Sequence, residues 1–207
     1  AMNIEAGNGN NEIALNPISR VGGSVITGSG NDTILNSGDI GANITAGGGN
    51  NTITLTRVSS VSGSVTAAEG DDTLINEGQI SNGIRLGDGQ NTITLTESST
   101  VSAGLTTGSG NDIVTNAGDI SGQTSLGAGD DSFTHFAGSS NQVVDGETGT
   151  DTVIFVIADT DGPTTLNGSD FTNIETADHS AGGELTLSFT NSVGFSEVII
   201  GTDSTLN

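Results

Sequence analysis

The stretch Gly28-Ser29-Gly30-Asn31-Asp32-Thr33-Ile34 carries the pattern that decides the fold. It is a Gly-rich turn that ends in Asn or Asp, followed two residues later by an apolar side chain. Related turns recur along the chain, and the last Gly of each turn marks the spacing. These glycines are Gly9, Gly30, Gly49, Gly70, Gly89, Gly110, Gly129 and Gly149. The spacing alternates between 21 and 19 residues and ends on 20, which predicts a solenoid whose sequence unit is a pair of coils.

Two columns of side chains keep the same register from coil to coil. The first column lies two residues after the turn Asn or Asp and is apolar throughout: Ile13, Ile34, Ile53, Leu74, Ile93, Val114, Phe133 and Val153. The second column lies four residues after the turn and alternates Leu with Asn before it changes: Leu15, Asn36, Leu55, Asn76, Leu95, Asn116, His135 and Phe155. Alternate residues of a strand point to the same face, so both columns predict an inner wall.

Each coil offers about three short β-compatible runs separated by Gly, Asn, Asp or Ser turns, and no segment has a useful helical period. Antiparallel barrels and sandwiches do not require identical side chains to recur at one interval. A parallel β-helix does, because its coils stack about 4.8 Å apart and like residues form ladders. The sequence therefore predicts an all-β parallel β-helix, or β-solenoid, with about 20 residues per coil, paired into 40-residue units.

Composition changes near Ser132 and predicts two parts of one solenoid. Residues 1–132 are expected to form the regular coils, and residues 133–207 a Phe-rich continuation or cap. All six Phe and both His lie in the second part. Such a cap covers the open end of the coils, which otherwise invites edge-to-edge aggregation. The weakly patterned stretch 158–184 is expected to lie on the interaction side.

The charge balance excludes one class of partner. Twenty-five acidic residues face three Arg and no Lys, giving a net charge of −22. Such a chain repels phosphate backbones, so nucleic acid is excluded as a partner.

Cys is absent, which excludes disulfides, a thiolate nucleophile and a Cys-ligated zinc site. No apolar run reaches the length of a membrane span, and the start AMNIEAG does not read as a signal peptide. We expect any export signal and anchor to lie outside this segment.

Three sequence features together resemble the passenger domains of Gram-negative autotransporters, which are self-secreted surface proteins. They are the GxGND turns, the in-register Asn-x-Gly phrases of every second coil, and the phrase LNGSDFTNIETA with the later GGELTLSF. The Asn-x-Gly phrases are Asn36-Ser37-Gly38, Asn76-Glu77-Gly78 and Asn116-Ala117-Gly118. The resemblance covers nearly the whole chain. It implies a right-handed parallel β-helix on the cell surface, serving adhesion or as a stalk, with a membrane β-barrel outside this segment.

The turns are also similar to the calcium-binding nonapeptides of RTX proteins, although here they mark only one edge of each coil. Stacked Gly-rich turns can offer Ca²⁺ carboxylates and free carbonyls. The more acidic last turns are the calcium candidates: Asp130, Asp131, Asp145 and Asp151, with Glu147 beside them. In the earlier turns Asn alternates with Asp, which relieves repulsion between stacked carboxylates and favours hydrogen bonds along a ladder.

Parallel β-helices also include polysaccharide-active enzymes, which need acids and a base gathered on one outer face. Here the acids are scattered through turns. Asp71 and Asp72 are expected to point to opposite faces. Arg57 and Glu97, two coils apart, are interpreted as surface charge, His135 as a partly buried corner residue, and His179 as a loop residue.

The function expected from the sequence is that of a non-catalytic, surface-exposed passenger segment of a secreted bacterial protein, acting as adhesin or structural stalk. The alternatives are a calcium-binding RTX-like β-roll module of a secreted adhesin and a β-helix polysaccharide-active enzyme. No catalytic residue or cofactor is assigned, apart from calcium at the four Asp named above. The expected partners are protein or glycan ligands on a host or neighbouring cell, with self-association also open. The expected location is outside a Gram-negative bacterium or on its surface.

Overall fold

The fold is a parallel β-solenoid, seen in a computed structural model that describes residues 1–157, 164–167, 170–180, 184–188, 195–200 and 205–206. Its strands are numbered β1 to β28 in chain order. Every strand pair in the described residues is parallel, and successive partners in the regular coils are 19 or 21 residues apart, as in Thr52 to Thr73 to Thr92. This arrangement fits a right-handed parallel β-helix, and it confirms the predicted coil length and pairing of coils.

The longest sheet of the described residues has ten strands and follows directly after the Gly-rich turns. Its strands are β2 Glu12–Leu15, β5 Thr33–Asn36, β8 Thr52–Leu55, β11 Thr73–Asn76, β14 Thr92–Leu95, β17 Ile113–Asn116, β20 Ser132–Phe136, β22 Thr152–Val156, β25 Thr176–His179 and β27 Glu197–Ile200. We call it the main sheet. It runs unbroken past Ser132, so the second part of the chain continues the same stack of strands. The boundary between residues 132 and 133 stays a prediction.

Two further sheets of shorter strands complete each coil. The described part of the nine-stranded sheet holds β1 Ile4–Gly7, β4 Val25–Thr27, β7 Ile44–Thr45, β10 Val65–Thr66, β13 Ile84–Arg85, β16 Leu105–Thr106, β19 Thr124–Ser125, β21 Val144–Asp145 and β24 Phe171–Thr172. The described part of the six-stranded sheet holds β3 Arg20–Val21, β6 Asp39–Ile40, β9 Ser60–Val61, β12 Gln79–Ile80, β15 Thr100–Val101 and β18 Asp119–Ile120.

A separate three-stranded sheet lies in the C-terminal part of the described chain. It consists of β23 Thr164–Asn167, β26 Glu184–Ser188 and β28 Thr205–Leu206. Strands β23, β24 and β25 fall within the stretch 158–184 that the sequence predicts as interaction loops. The rest of that prediction, at 158–163, 168–169 and 181–183, lies outside the described residues. No helix in the described parts of the chain has the length and hydropathy to span a membrane.

The two predicted inner columns form the core. Leu55, Leu74 and Ile93 are each at most 1% exposed, and full burial of such a side chain stabilises by about 1.5–3 kcal/mol.

The alternation of Leu with Asn in the second inner column has a local cause. In the shorter coils the chain turns directly after the Asn, and the buried Asn76 Oδ1 accepts a hydrogen bond from the Gly78 N–H at 3.0 Å. The longer coils carry an apolar residue there because their turn begins later.

The turn glycines stack so closely that a side chain cannot be added to most of them. At Gly70 the backbone has φ +135°, and an alanine Cβ would press on the carbonyl oxygen of Gly49 in the preceding coil. Gly9 has φ +97° as well, but an added Cβ there meets nothing within 4 Å. The two positions share the backbone strain of a positive φ and differ in the contact between coils.

We therefore expect Gly70→Ala to lower the free energy of unfolding by about 1–3 kcal/mol more than Gly9→Ala, because only residue 70 is packed against a neighbouring coil. Urea denaturation of both variants, followed by circular dichroism, measures the difference. Equal losses at the two positions would show that the coils do not stack as tightly at these turns as the structure indicates.

Candidate functional site

The most regular polar feature of the molecule is a ladder of side chains at the Gly-rich turns, which we call the inner turn ladder. Its rungs are Asn11, Asp32, Asn51, Asp72, Asn91, Asp112, Asp131 and Asp151. From Asp32 onward each rung is at most 2% exposed. The backbone N–H of each rung donates to the side-chain Oδ1 of the next rung, at 2.7–3.1 Å. The ladder predicted from the alternation of Asn and Asp is confirmed.

The amide of each Asn rung also closes its own turn. Asn51 Nδ2 donates to the carbonyl oxygens of Gly47 at 3.1 Å and Gly49 at 2.8 Å, and to Asp72 Oδ1 at 2.9 Å. Asn91 makes the same bonds to its two turn glycines, at 3.0 and 3.1 Å. These carbonyls are partly buried and need a donor, so the amide stabilises both the turn and the contact to the next coil.

The Asp rungs have no hydrogen to offer when they are ionised. Asp72 Oδ1 accepts from the backbone and side-chain nitrogens of Asn51. Its Oδ2 is buried and has no hydrogen-bond partner in the structure, and the same holds for Asp32, Asp112, Asp131 and Asp151. Burial disfavours the charged form of a carboxyl and raises the pKa of Asp72 to about 6, although the hydrogen bonds from Asn51 act in the opposite direction.

The ladder changes character at its C-terminal end, where acids follow one another without an amide between them. The N–H of Asp112 donates to Asp131 at 2.7 Å, that of Asp131 to Asp151 at 2.8 Å, and that of Asp151 to Glu175 Oε2 at 2.8 Å. Burial, helped by the neighbouring Asp112, Asp151 and Asp130, raises the pKa of Asp131 to about 7. Burial likewise raises the pKa of Asp151 to about 6 and increases that of Asp112.

A second ladder runs along the outside of the same turns. The Oδ1 atoms of Asn10, Asn31, Asn50 and Asp71 accept from the backbone N–H one coil further on, at 2.8–3.0 Å. Because Asp71 is exposed while Asp72 is buried, the two neighbouring carboxylates point to opposite sides, as the sequence predicts. Adjacent acids of these turns therefore do not form a pair suited to acid–base catalysis.

The calcium candidates lie in three different places. Asp131 and Asp151 are successive rungs of the inner turn ladder. Asp130 is exposed on the outer ladder, where it accepts from the N–H of Thr150. Asp145 lies on β21 and accepts from the Glu147 N–H and from Asn173 Nδ2. Within the described residues no group of three or more His, Cys, Asp or Glu is placed to hold a metal ion. Calcium binding stays a prediction from the sequence.

Both His belong to the packing of the C-terminal part. His135 is 3% exposed and lies on the inner wall, with edge-on contacts to the rings of Phe155 and Phe171. Burial lowers its pKa, which favours the neutral ring. The interpretation of His179 as a loop residue is wrong, because it ends β25 and is also 3% exposed. Strand β25 pairs in register with β22 and β27 of the main sheet. It does so although the coil that precedes it is longer than 20 residues.

The outer side of the main sheet is free of charge over seven successive strands, from β5 to β22. We call this surface the neutral face. It consists of Thr33, Leu35, Thr52, Thr54, Thr73, Ile75, Thr92, Thr94, Ile113, Thr115, Ser132, Thr134, Phe136, Thr152, Ile154 and Val156. All of them are exposed or half-buried. Threonine and other β-branched residues suit an exposed strand, but the absence of acids is unexpected in a chain with a net charge of −22.

A groove of about 340 Å³ lies at one edge of the neutral face. Thr94, Thr115 and Phe136 contribute to its wall, and Arg57 and Glu97 lie at its charged side. The groove has a physical origin in the alternation of coils, because the longer coils extend their turns at Arg57 and Glu97 while the shorter ones turn earlier. The groove thus brings one base, Arg57, and one acid, Glu97, to the same surface. From the sequence, both are interpreted as surface charge.

Comparison of the chain with protein-family models, with curated protein sequences and with solved structures finds no match in any of the three.

The alternation of the inner turn ladder gives a direct test. Asn91→Asp would remove the amide that donates to Gly87 and Gly89 and would extend the run of successive carboxyls, which now begins at Asp112, back to Asp72. We expect the free energy of unfolding at pH 8 to fall by about 2–4 kcal/mol, because two partly buried carbonyls lose their donor and a charge is buried. Thermal or urea unfolding measures the loss.

Gln90→Glu is the matched control for this substitution. It adds the same charge one residue away, at a side chain that is exposed, and should change stability by less than about 0.5 kcal/mol. An equal effect of both substitutions would mean that net charge, and not the ladder, sets the stability.

Proposed function

We propose that this chain is a non-catalytic, surface-exposed passenger segment of an exported bacterial protein, serving as an adhesin on a rigid stalk. The single observation that carries the proposal is the neutral face. A long, regular, uncharged surface on an otherwise acidic rod offers hydroxyls and methyl groups to a partner without electrostatic repulsion. The resemblance to autotransporter passengers supports a location on the surface of a Gram-negative cell.

The groove beside Thr94, Thr115 and Phe136 is the part of the neutral face where a ligand group can be partly enclosed. Recognition sites combine a concave apolar surface with a few polar groups, and here the hydroxyls stand beside a half-exposed ring. The partner class that fits is a neutral glycan or an uncharged protein surface on a host or neighbouring cell. Acidic glycans are disfavoured by the net charge of −22.

The test uses beads that carry the full chain on arrays of neutral glycans, acidic glycans and extracellular-matrix proteins. We expect attachment to neutral glycans or to proteins, and we expect Thr94→Lys to weaken it by about tenfold. The Lys would place a solvated charge in the middle of the neutral face, and desolvating it on binding is unfavourable.

Gln79→Lys adds the same charge on an exposed strand residue of the six-stranded sheet and should leave attachment unchanged. A loss of attachment that is equal for both variants would count against the neutral face, as would attachment to acidic glycans alone.

A further inference from the structure

The corner that leads from the six-stranded to the nine-stranded sheet carries side-chain rungs of its own, Asn3, Ser24, Asn43 and Ser64, which we call the corner ladder. The Ser24 N–H donates to Asn3 Oδ1 at 2.9 Å, and the Asn43 N–H donates to Ser24 Oγ at 3.3 Å. The Ser64 N–H then donates to Asn43 Oδ1 at 2.9 Å. In these coils the backbone N–H at the corner is therefore bonded by a side chain of the coil before.

The corner ladder stops at Gly83. The pairing of β10 with β13, and of β13 with β16, places Gly83 directly after Ser64 and Gly104 directly after Gly83. A glycine has no side chain that could accept the next N–H. Over the described chain, the backbone N–H groups of Asn82, Gly83 and Gly104 have no hydrogen-bond partner within the protein. Backbone donors are normally paired, so these three remain available to a molecule from outside.

A groove of about 270 Å³ opens at the place where the corner ladder stops. Its wall includes the three residues with free backbone N–H groups, and Arg85 lies beside them. The hydroxyl side chains of Ser64, Thr66 and Thr106 complete the polar wall. Since a guanidinium and a backbone N–H only donate hydrogen bonds, the groove presents several donors with partial or full positive charge at one point.

Arg85 differs from the other two Arg of the chain. Arg20 forms an ion pair with Asp39 at 3.6 Å. Arg57 lines the groove beside the neutral face, together with Glu97. The exposed guanidinium of Arg85 has neither an ion pair nor a hydrogen bond to any residue that the structure describes. Its charge is therefore available to an anion.

The surroundings of Arg85 lack acids, although the chain has a net charge of −22. Six successive coil segments around the strands of the nine-stranded sheet contain no Asp and no Glu, and Arg85 is their single Arg; they are residues 22–28, 41–47, 62–68, 81–87, 102–108 and 121–127. The next acid along the same coil is Asp88, whose Oδ1 accepts the Ser109 N–H at 2.9 Å. An anion in the groove thus meets a base before it meets an acid.

We propose that this groove binds the carboxylate of an acidic sugar, such as a uronic acid. The planar fork of Arg85 matches the two oxygens of a carboxylate. The free N–H groups of Asn82, Gly83 and Gly104 add backbone donors of the kind that form anion sites at turns. The hydroxyls of the groove wall suit the hydroxyls of a sugar ring, and a few such polar groups fix the orientation of a ligand.

The site goes beyond the proposed function, because it lies on the nine-stranded sheet and not on the neutral face. The net charge repels polyanionic glycans, but repulsion between exposed charges is screened beyond about 8 Å at physiological salt. A single carboxylate that enters the acid-free surface around Arg85 is governed by the donors of the groove. The ligand class is therefore a sugar with an isolated carboxylate, and not a polyanion.

Titration of the ¹⁵N-labelled chain with glucuronate, followed by amide NMR, tests the site. We expect saturable shifts of the amides of Asn82, Gly83 and Gly104, with a Kd of about 1 mM. Methyl glucoside, which has a similar ring but no carboxylate, should cause much smaller shifts. Arg85→Gln should weaken glucuronate binding by at least about tenfold, because it removes the charged partner of the carboxylate.

Arg20→Gln is the matched control. It removes the same charge from an exposed residue of the six-stranded sheet and should leave the affinity for glucuronate unchanged. Both side chains are exposed, so both variants are expected to keep the fold, which circular dichroism checks. Equal weakening by Arg20→Gln and Arg85→Gln would overturn the proposal, because net charge alone would then explain the binding.

Two further results would also overturn the proposal: shifts with methyl glucoside as large as those with glucuronate, or no saturable shift at the three amides. The neutral face is tested separately, because bead attachment to neutral glycans should be the same for Arg85→Gln and the unmodified chain. Failure of that attachment would leave the glucuronate titration to be judged by its own result.

Discussion

The hydrogen bond from the backbone N–H of one turn rung to the side-chain oxygen of the next is the interaction on which the rest of the structure depends. Parallel strands of two to five residues, such as β9 and β20, make few backbone bonds of their own. Stacking them in register requires a constraint at the turn. The inner turn ladder supplies it with buried groups, where water does not compete and each bond is stronger than at the surface.

The same constraint explains the composition of the chain. Glycine is needed at the turns because Gly70 and its equivalents lie against the carbonyls of the coil before. From Asn11 to Asp112 the rungs alternate Asn with Asp, because an amide can donate to its turn and to the next rung, while a carboxylate only accepts. With register fixed at one corner, outward residues of the main sheet align into columns, and selection can then shape one continuous surface. The neutral face is the result of this alignment.

The coil period, the inner columns and the ladder could be predicted from the sequence because each depends on a repeat that is local in the chain. Asp72 and Leu74, for instance, have fixed roles at fixed distances from Gly70. Glu175 could not be predicted as the last rung, since it lies 24 residues after Asp151 and a Glu replaces the shorter side chain. The misplacement of His179 has the same origin, because the longer coil before it interrupts the repeat.

The neutral face and the unpartnered Oδ2 atoms were also beyond the sequence, for a different reason. Thr54, Ile75 and Thr94 look unrelated along the chain and become one column only when strands pair across coils. Likewise, Asp131 stands beside Asp130 in the same turn, and the sequence alone does not show that the first is buried while the second is exposed. Its burial and its position between Asp112 and Asp151 become visible only when the coils stack.

The central claim, that buried rungs hold the coils in register, is tested most directly by residue-resolved amide hydrogen exchange of the whole chain. The N–H groups of Asn51, Asp72 and Asn91 lie in turns but donate to buried side-chain oxygens. They are predicted to exchange as slowly as the strand amides of the main sheet, at the rate set by global unfolding. Exchange of these three amides at the rate of an exposed loop, while the strands stay protected, would contradict the claim.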